Sequence, residues 1–336
     1  MTSDPARPVP KPCTVAVFAP SPALTVTIEQ GSAGAEIHLH AGGQGFWVAR
    51  MAARLGAAVS LCVPLGGETG SVLAPLLAVD GIEVLSVPIG GSNGAYVHDR
   101  RGQAEREVIA ETPSPELRRH ELDDLYGVAL TTAIEADIAL LTGPRNEGVL
   151  PADTYERLAS DLKRNARTVL ADLSGECLFA AVRGGADLAK VSDEELLQMG
   201  WMKSLETDEI AAAARRLHEM GAPGVVVSRG ERGSLASIGG HPVEVSGPRF
   251  TSLDQSGAGD SMFAGLGVAL GGGLTAEEAL RVATAAGSLN VTRHGLGTGH
   301  LHEISTLAGE VEVKPLGSDQ SPDPAAEEGS TASTTS

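Results

Sequence analysis

Short apolar runs alternate along the chain with stretches whose apolar residues recur three and four positions apart. The runs VAVFA at 15–19, AVSLCV at 58–63, IALL at 138–141, TVLADL at 168–173 and VVVS at 225–228 are rich in β-branched residues and lack polar alternation, which predicts parallel strands buried on both faces. The stretches 45–55, 69–79, 151–165, 206–220 and 275–292 have helical spacing; Ala276, Ala279, Leu280, Ala283 and Leu289 make one such stripe. Strand and helix in alternation predict a βαβ sheet with right-handed crossovers, a doubly wound α/β core. A different texture holds at about 24–40 and 82–110, where LTVTI, EIHLH, IEVLSV, AYVHD and REVIA predict short, half-exposed strands separated by Gly and Asn. These form a small β element inserted in the core, placed to act as a lid over the carboxyl ends of its strands. No internal repeat is present.

Both ends lie outside this pattern. Residues 1–12 are Pro-rich and predicted to be flexible, and the stretch 315–336 holds one large apolar residue and is predicted to be a disordered tail. The body between them, 13–314, is expected to be one domain.

Composition narrows the function. A net charge of −18 with no basic stripe argues against nucleic acid as partner. It leaves a nucleotide open, because backbone amides and helix ends hold phosphates without net positive charge. Cys13, Cys62 and Cys177 are odd in number and widely spaced, as expected of thiols in a reducing compartment rather than of a disulfide framework or a zinc site. The opening MTSDPARPVPKPC has no signal-peptide pattern, and no apolar run approaches the ~20 residues that span a bilayer. A cytoplasmic protein without membrane contact is expected.

Two glycine-rich segments carry candidate chemistry. In LDQSGAGDSMFAGLGVAL, 253–270, the residues Gly257, Ala258 and Gly259 precede a helix predicted from about Asp260. Amides at a helix start attract anions, and Asp260 beside them sets a carboxylate against an anion site, as a phosphoryl transfer to a hydroxyl requires. A tight turn followed by a favourable N-terminal acid accounts for the same residues. In AGGQGFWVARMAARLGA, 41–57, glycines open a helix with a stripe of Val48, Met51, Ala52 and Leu55. Close approach to a polyhydroxy ligand requires such glycines, and so does strand-to-helix geometry alone.

Taken together, the early GG-x-G-x-x-VA…LG segment and the late GAGDS-x-x-AG segment resemble the paired signatures of the PfkB, ribokinase-like, carbohydrate kinases, over roughly 13–305. The similarity is greatest to the phosphofructokinase, 1-phosphofructokinase and tagatose-6-phosphate kinase branch, in APSPALTVTI, LTGPRNEGVLPADTY, LADLSGECL, DLAKVSDEEL, VVVSRGERGSL and AAGS. It implies a mostly parallel ribokinase-like sheet, transfer of the ATP γ-phosphate to a hydroxyl of a sugar or phosphosugar, ATP and Mg²⁺ with room for K⁺, and a homodimer through the β lid. It further implies Asp260 as catalytic base with the amides of Gly257, Ala258 and Gly259 steadying the phosphoryl group. Lys190, Ser192, Ser228, Gly230, Gly233 and Ser288 fall on the nucleotide, Glu195 on the metal, and Gly42, Gly43, Gln44, Gly45, Trp47, Arg106 and Thr142 on the acceptor.

The departures from the family pattern are local. Pro22, Ala23 and Leu24 stand where the branch has an Asp that binds sugar hydroxyls, Trp47 replaces an Asn, and Ser192 replaces the Asn of an N-x-x-E motif. An indole offers a flat apolar face for a sugar ring or a base. That substitution keeps a nucleoside or other small-alcohol kinase as the alternative, and a catalytically weak sensor as a third reading. Arg145 replaces an apolar loop residue, either as an anion contact or as a solvated charge. His38 and His40 share one strand face without a third ligand, which makes a poor metal site. The chain has neither a P-loop nor the protein-kinase motifs.

Overall fold

A computed structural model of the chain describes residues 8–101, 107–248, 250, 256–291, 297 and 299–316. The chain begins with β1 (Thr14–Phe18), β2 (Ala23–Gly31), β3 (Gly34–Gly42), α1 (Gln44–Arg54), β4 (Ala58–Leu65), α2 (Gly67–Leu77) and β5 (Glu83–Pro88). It continues through β6 (Gly94–Asp99), β7 (Glu107–Thr112), α3 (Arg119–Glu135), β8 (Ile138–Thr142), α4 (Asp153–Arg164), β9 (Thr168–Asp172), α5 (Gly175–Arg183) and β10 (Leu188–Ser192). Next come α6 (Asp193–Gln198), α7 (Thr207–Glu219), β11 (Gly224–Ser228), a single 3₁₀ turn (Gly230–Arg232), β12 (Ser234–Ile238) and β13 (His241–Ser246). The last elements are α8 (Ala258–Gly271), α9 (Ala276–Asn290), α10 (Leu301–Ala308) and β14 (Glu312–Pro315).

Ten strands form the large sheet in the order β14-β13-β12-β11-β10-β9-β8-β1-β4-β5. From β11 to β5 every pair is parallel, and β12, β13 and β14 add an antiparallel edge. Alternate residues of each strand enter opposite cores. Val15 and Val17 join α1, α2, α8, α9 and α10 on one face, while Ala16 and Phe18 join α3 to α7 on the other. Each large apolar side chain buried in this way contributes about 1.5–3 kcal/mol before entropy is counted. The chain progresses outward in both directions from β1, through β4 on one side and β8 on the other, so the crevice at the carboxyl ends of β1 and β8 is where such sheets bind ligands.

The second sheet has the order β3-β2-β6-β7. It holds the inserted β segments with one exception: β5, within the stretch read as lid from its half-polar texture, pairs in parallel with β4 at the edge of the large sheet. An edge strand is covered on one side only, so its pattern matches that of a lid strand.

The ends also differ from expectation. Pro8 and Pro10 are buried, and the Lys11 amide donates to the Gly272 carbonyl at 3.2 Å, so residues 8–12 lie against the end of α8. Pro315 closes β14, and the Leu316 amide donates to Pro242 O at 3.0 Å; the remainder of the predicted tail lies outside the described residues. Among the described residues no helix is long and apolar enough to cross a membrane.

Candidate active site

The start of α8 is the centre of the site. From Ser261 to Ala269 this helix is buried all round, as its uniformly apolar sequence dictates. Gly265 lets α9 approach: a Cβ there would lie 2.8 Å from Ala283 Cα. The helix starts at Ala258, two residues earlier than its apolar period suggests. Gly257 is the N-cap at φ 74°, a left-handed conformation that suits glycine, and the Ser261 amide returns to Gly257 O at 2.9 Å. Helix geometry leaves the first-turn amides, those of Ala258, Gly259 and Asp260, without intrahelical acceptors. The buried Asn290 at the end of α9 fixes the approach, donating to Ser256 O at 2.8 Å and accepting from the Gly297 amide at 2.9 Å.

Next to this turn lies a buried ion pair. Lys190, from β10, places Nζ 3.0 and 2.9 Å from the two carboxylate oxygens of Asp172, at the end of β9. The ammonium also rests on the helix start, since a Cβ on Gly259 would be 2.9 Å from Lys190 Nζ. Burial disfavours the Lys190 charge, yet the carboxylates of Asp172, then Asp260 and Glu195, hold its pKa above the ordinary value, and it stays protonated. Asp260 is half-buried at the cavity wall. Its carboxyl is pushed up to about 7, chiefly by burial and then by the negative charge of Asp172, with Lys190 opposing and Glu195 adding a little. A carboxylate with a pKa near neutrality is matched to general-base work at physiological pH.

These groups line one cavity of about 710 Å³, a size typical of small-molecule sites. One end is formed by Ser228, the last residue of β11, and by Gly230 and Gly233 just after it, and Gly233 cannot be replaced without a clash, because a Cβ there would lie 2.1 Å from Val245 O. Ser288 and Gln44 also line it. Ser192 and Glu195 lie at its α6 side, where they cap one another: the Ser192 amide and hydroxyl donate to Glu195 Oε2 at 2.8 and 2.7 Å, and the Glu195 amide returns to Ser192 Oγ at 3.2 Å. Ser192 therefore builds a capping box, a role its replacement of Asn did not suggest.

The remaining predicted residues stand elsewhere. Gly257 is behind the cavity wall as N-cap. Gly42, Gly43 and Gly45 form the turn from β3 into α1, with Gly45 pressed on Ala19 and Thr142. Thr142 is fully buried and donates its hydroxyl to Phe18 O at 2.8 Å, so it bolts β8 to β1. Trp47 packs on Phe46, with ring centroids 4.9 Å apart, and against the core instead of lining the cavity. Arg106 lies outside the described residues. Arg145 is engaged by Glu111 at 2.7 Å and covers the Tyr96 ring at 4.4 Å, tying the lid to the loop after β8. Gln44 accepts from the Gly143 amide at 2.7 Å and donates to Asp172 O at 3.3 Å, which joins the ends of β8 and β9 to α1.

Sequence reading missed Asp172, Arg229 and Arg232. Asp172 carried the available signal, an acid ending an otherwise apolar strand. Arg229 is nearly buried in the cavity wall and pairs with Glu244 at 2.6 Å, and Arg232 pairs with Asp193 at 2.5 Å. Two arginines within a glycine loop are a charge signal that spacing alone does not interpret.

With this geometry in view, similarity to known proteins is informative. A sequence profile described as pfkB family carbohydrate kinase matches residues 19–303. The chain is 30% identical over 286 residues to an ATP-dependent 6-phosphofructokinase isozyme 2 of Mycobacterium tuberculosis, covering 83% of this chain and 82% of that protein. It is 30% identical over 278 residues to a 1-phosphofructokinase of Bacillus subtilis, covering 82% and 88%. Its fold matches the crystal structure of phosphofructokinase-2 from Escherichia coli in complex with potassium, with a TM-score of 0.78 at 24% identity over 88% of this chain and 98% of that one.

Proposed function

We propose, for a chain that belongs to the pfkB family of carbohydrate kinases, that it transfers the γ-phosphate of ATP to a hydroxyl of a phosphosugar. The observation that carries the proposal is the Asp260 carboxyl, poised near neutrality in the cavity that also holds the first amides of α8 and the Lys190 ammonium. The phosphosugar is supported by the curated relatives, which are named for kinases of phosphorylated fructose.

In this reading Asp260 takes the proton of the acceptor hydroxyl as it attacks. The amides of Ala258 and Gly259 and the Lys190 ammonium stabilise the charge that spreads over the transferring group. Ser228, Gly230 and Gly233 cradle the nucleotide phosphates, and Ser288 lines the nucleotide end. Mg²⁺, when bound, neutralises the phosphate oxygens. Among the described residues no three His, Cys, Asp or Glu side chains form a metal cage, and Mg²⁺ needs only one or two carboxylates besides waters and phosphates. Glu195 fits that part: Oε2 is committed to Ser192, and Oε1 is the oxygen that would meet a hydrated ion. A site for K⁺ belongs to the proposal by likeness to the potassium complex.

Trp47 no longer favours a nucleoside acceptor, because its face is packed on Phe46 and the core. The proposal includes a homodimer through the lid, whose strands expose Ile37 and Leu39 on β3 and Val108 and Ile109 on β7. It includes a cytoplasmic location, supported by three cysteines that are not in disulfides.

The test is ATP consumption by wild type and Asp260→Asn over fructose 6-phosphate, fructose 1-phosphate, tagatose 6-phosphate, free sugars and nucleosides. Loss of the positioned base lowers kcat by roughly 10²–10⁴ with nucleotide affinity retained. Equal background rates for both proteins would point to a sensor instead.

A further inference from the structure

The glycine turn after β11 is held from both sides by its own two arginines. Its backbone closes on itself: the Arg229 amide donates to Gly233 O at 2.8 Å, and the Arg232 and Gly233 amides donate to Arg229 O and Gly230 O at 3.1 Å. Glycine gives the turn its bends, at φ 56° for Gly230 and 79° for Gly233, and also leaves it free to change shape. The arginines remove that freedom. Arg229 is 6% exposed and donates through Nη2 to Arg232 O at 2.8 Å and to Glu244 Oε1, on β13, at 2.6 Å. Arg232 reaches the other way, through Nη1 to Leu205 O at 2.9 Å and through Nη2 to Asp193 Oδ2 at 2.5 Å.

Asp193 opens α6 between Ser192 and Glu195, the two cavity residues that cap one another, and its Oδ1 accepts the Glu194 amide at 2.9 Å. A carboxylate only 3% exposed needs a partner, and Arg232 supplies it from across the fold. The backbone ladder between β10 and β11 ends at the Ser192–Ser228 pair. Beyond that rung one segment enters α6 and the other the glycine turn, and the Asp193–Arg232 pair carries the connection over the end of the cavity, which both residues line.

We propose that the Asp193–Arg232 pair, braced by Arg229 and Glu244, is a positioning device that sets the distance between the glycine turn and the Glu195 carboxylate, so that a nucleotide and its Mg²⁺ are gripped as one complex. The inference rests on the kinase reading of the turn and of Glu195. Asp193 and Arg232 do not touch the reacting atoms; they act through the groups they fix. If Arg232 served only by attracting phosphate with its charge, removing the negative charge of Asp193 beside it would strengthen nucleotide binding. If the pair only stabilised the fold, its loss would lower the melting temperature and leave binding unchanged. A positioning pair weakens binding whichever member is removed, and removing the second adds little.

The experiment titrates wild type, Asp193→Asn, Arg232→Met and the double variant calorimetrically with the Mg²⁺ complex of AMP-PNP, a non-hydrolysable ATP analogue, beside steady-state kinetics on the phosphosugar wild type phosphorylates fastest. Asn at position 193 keeps an oxygen for the Glu194 amide, and the Arg232 side chain is half-exposed, so the fold accommodates both changes. Thermal melts check this, and Arg232→Lys, which keeps the charge but not the two-pronged reach, replaces Arg232→Met if that variant does not fold. Each single variant weakens binding about tenfold and lowers kcat while the acceptor KM stays unchanged. The double variant binds within about twofold of the singles, a coupling of the size found within one ion-pair network. Tighter binding by Asp193→Asn, additive losses in the double variant, a parallel rise in acceptor KM or wild-type affinity in both singles overturns this inference alone. A wild type that does not bind the Mg²⁺ complex of AMP-PNP overturns the nucleotide reading and this inference with it.

Discussion

The Lys190 ammonium is held 2.9 and 3.0 Å from the Asp172 carboxylate oxygens, with both side chains almost wholly buried. It sits between two carboxyls with different tasks. Asp172 holds the cation in place, and Asp260, a little further off, responds to the charge of both.

The first consequence is a pH profile. Asp260 acts as a base only when deprotonated, so kcat/KM rises with pH and levels off above an apparent pKa near 7. An unperturbed carboxyl would place that limb near 4. Asp172→Asn moves the limb down, since the Asp172 charge is the second cause of the shift. A limb below 5 in wild type would show that Asp260 is not the base.

The same shift has a stability side. A carboxyl whose folded pKa is raised contributes stability fully below its unfolded value, 3.8, and loses it as pH rises through about 7. Asp260→Asn, neutral throughout, is therefore more stable relative to wild type at pH 8 than at pH 4. Thermal melts of both proteins at the two pH values measure the difference, and a relative gain at pH 4 would contradict it.

Removing one member of the buried pair leaves the other uncompensated. Lys190→Met and Asp172→Leu each destabilise by about 3–5 kcal/mol, and the double variant recovers much of that loss. Urea denaturation of the four proteins in the cycle gives the coupling; additive single effects would refute it.

The α8–α9 contact positions Asp260 and tolerates no side chain at Gly265. Gly265→Leu forces the helices apart against the Ala283 backbone, at a cost of about 1–3 kcal/mol. Its melting temperature drops and kcat falls with it, whereas a variant with unchanged melting would mean the interface has slack.

The lid carries the expected dimer. Wild type sediments as a dimer at micromolar concentration, and Ile37→Glu combined with Ile109→Glu, which places charge on the exposed apolar residues, sediments as a monomer. A monomeric wild type removes the dimer from the proposal.

Much of this protein was already legible in its sequence. The periods of β1, β4, β8, β9 and β11 and of α1, α4, α7, α8 and α9 revealed the doubly wound core, because period and burial are tied by local geometry. Asp260 was singled out locally, by the glycine-rich start of its helix, whereas Lys190, Ser228, Gly230 and Gly233 were singled out only by resemblance to the family, and the fold places all of them on one cavity wall. Less visible were α3, whose buried stripe is the sparse Leu125, Ala129 and Ala133, and the antiparallel strands β12 to β14, whose short polar sequences resemble loops.

Only the tertiary structure decided what each side chain faces. It joined Asp172 to Lys190 and turned Trp47 into the core. It spent Thr142 on β1 and Ser192 on a helix cap. It also left Thr25 and Ser21 buried without partners beneath the lid. Sequence carries the periodicity that selects elements, but a hydrogen bond or a desolvated charge depends on atoms brought together from distant strands, and no spacing along the chain encodes that distance.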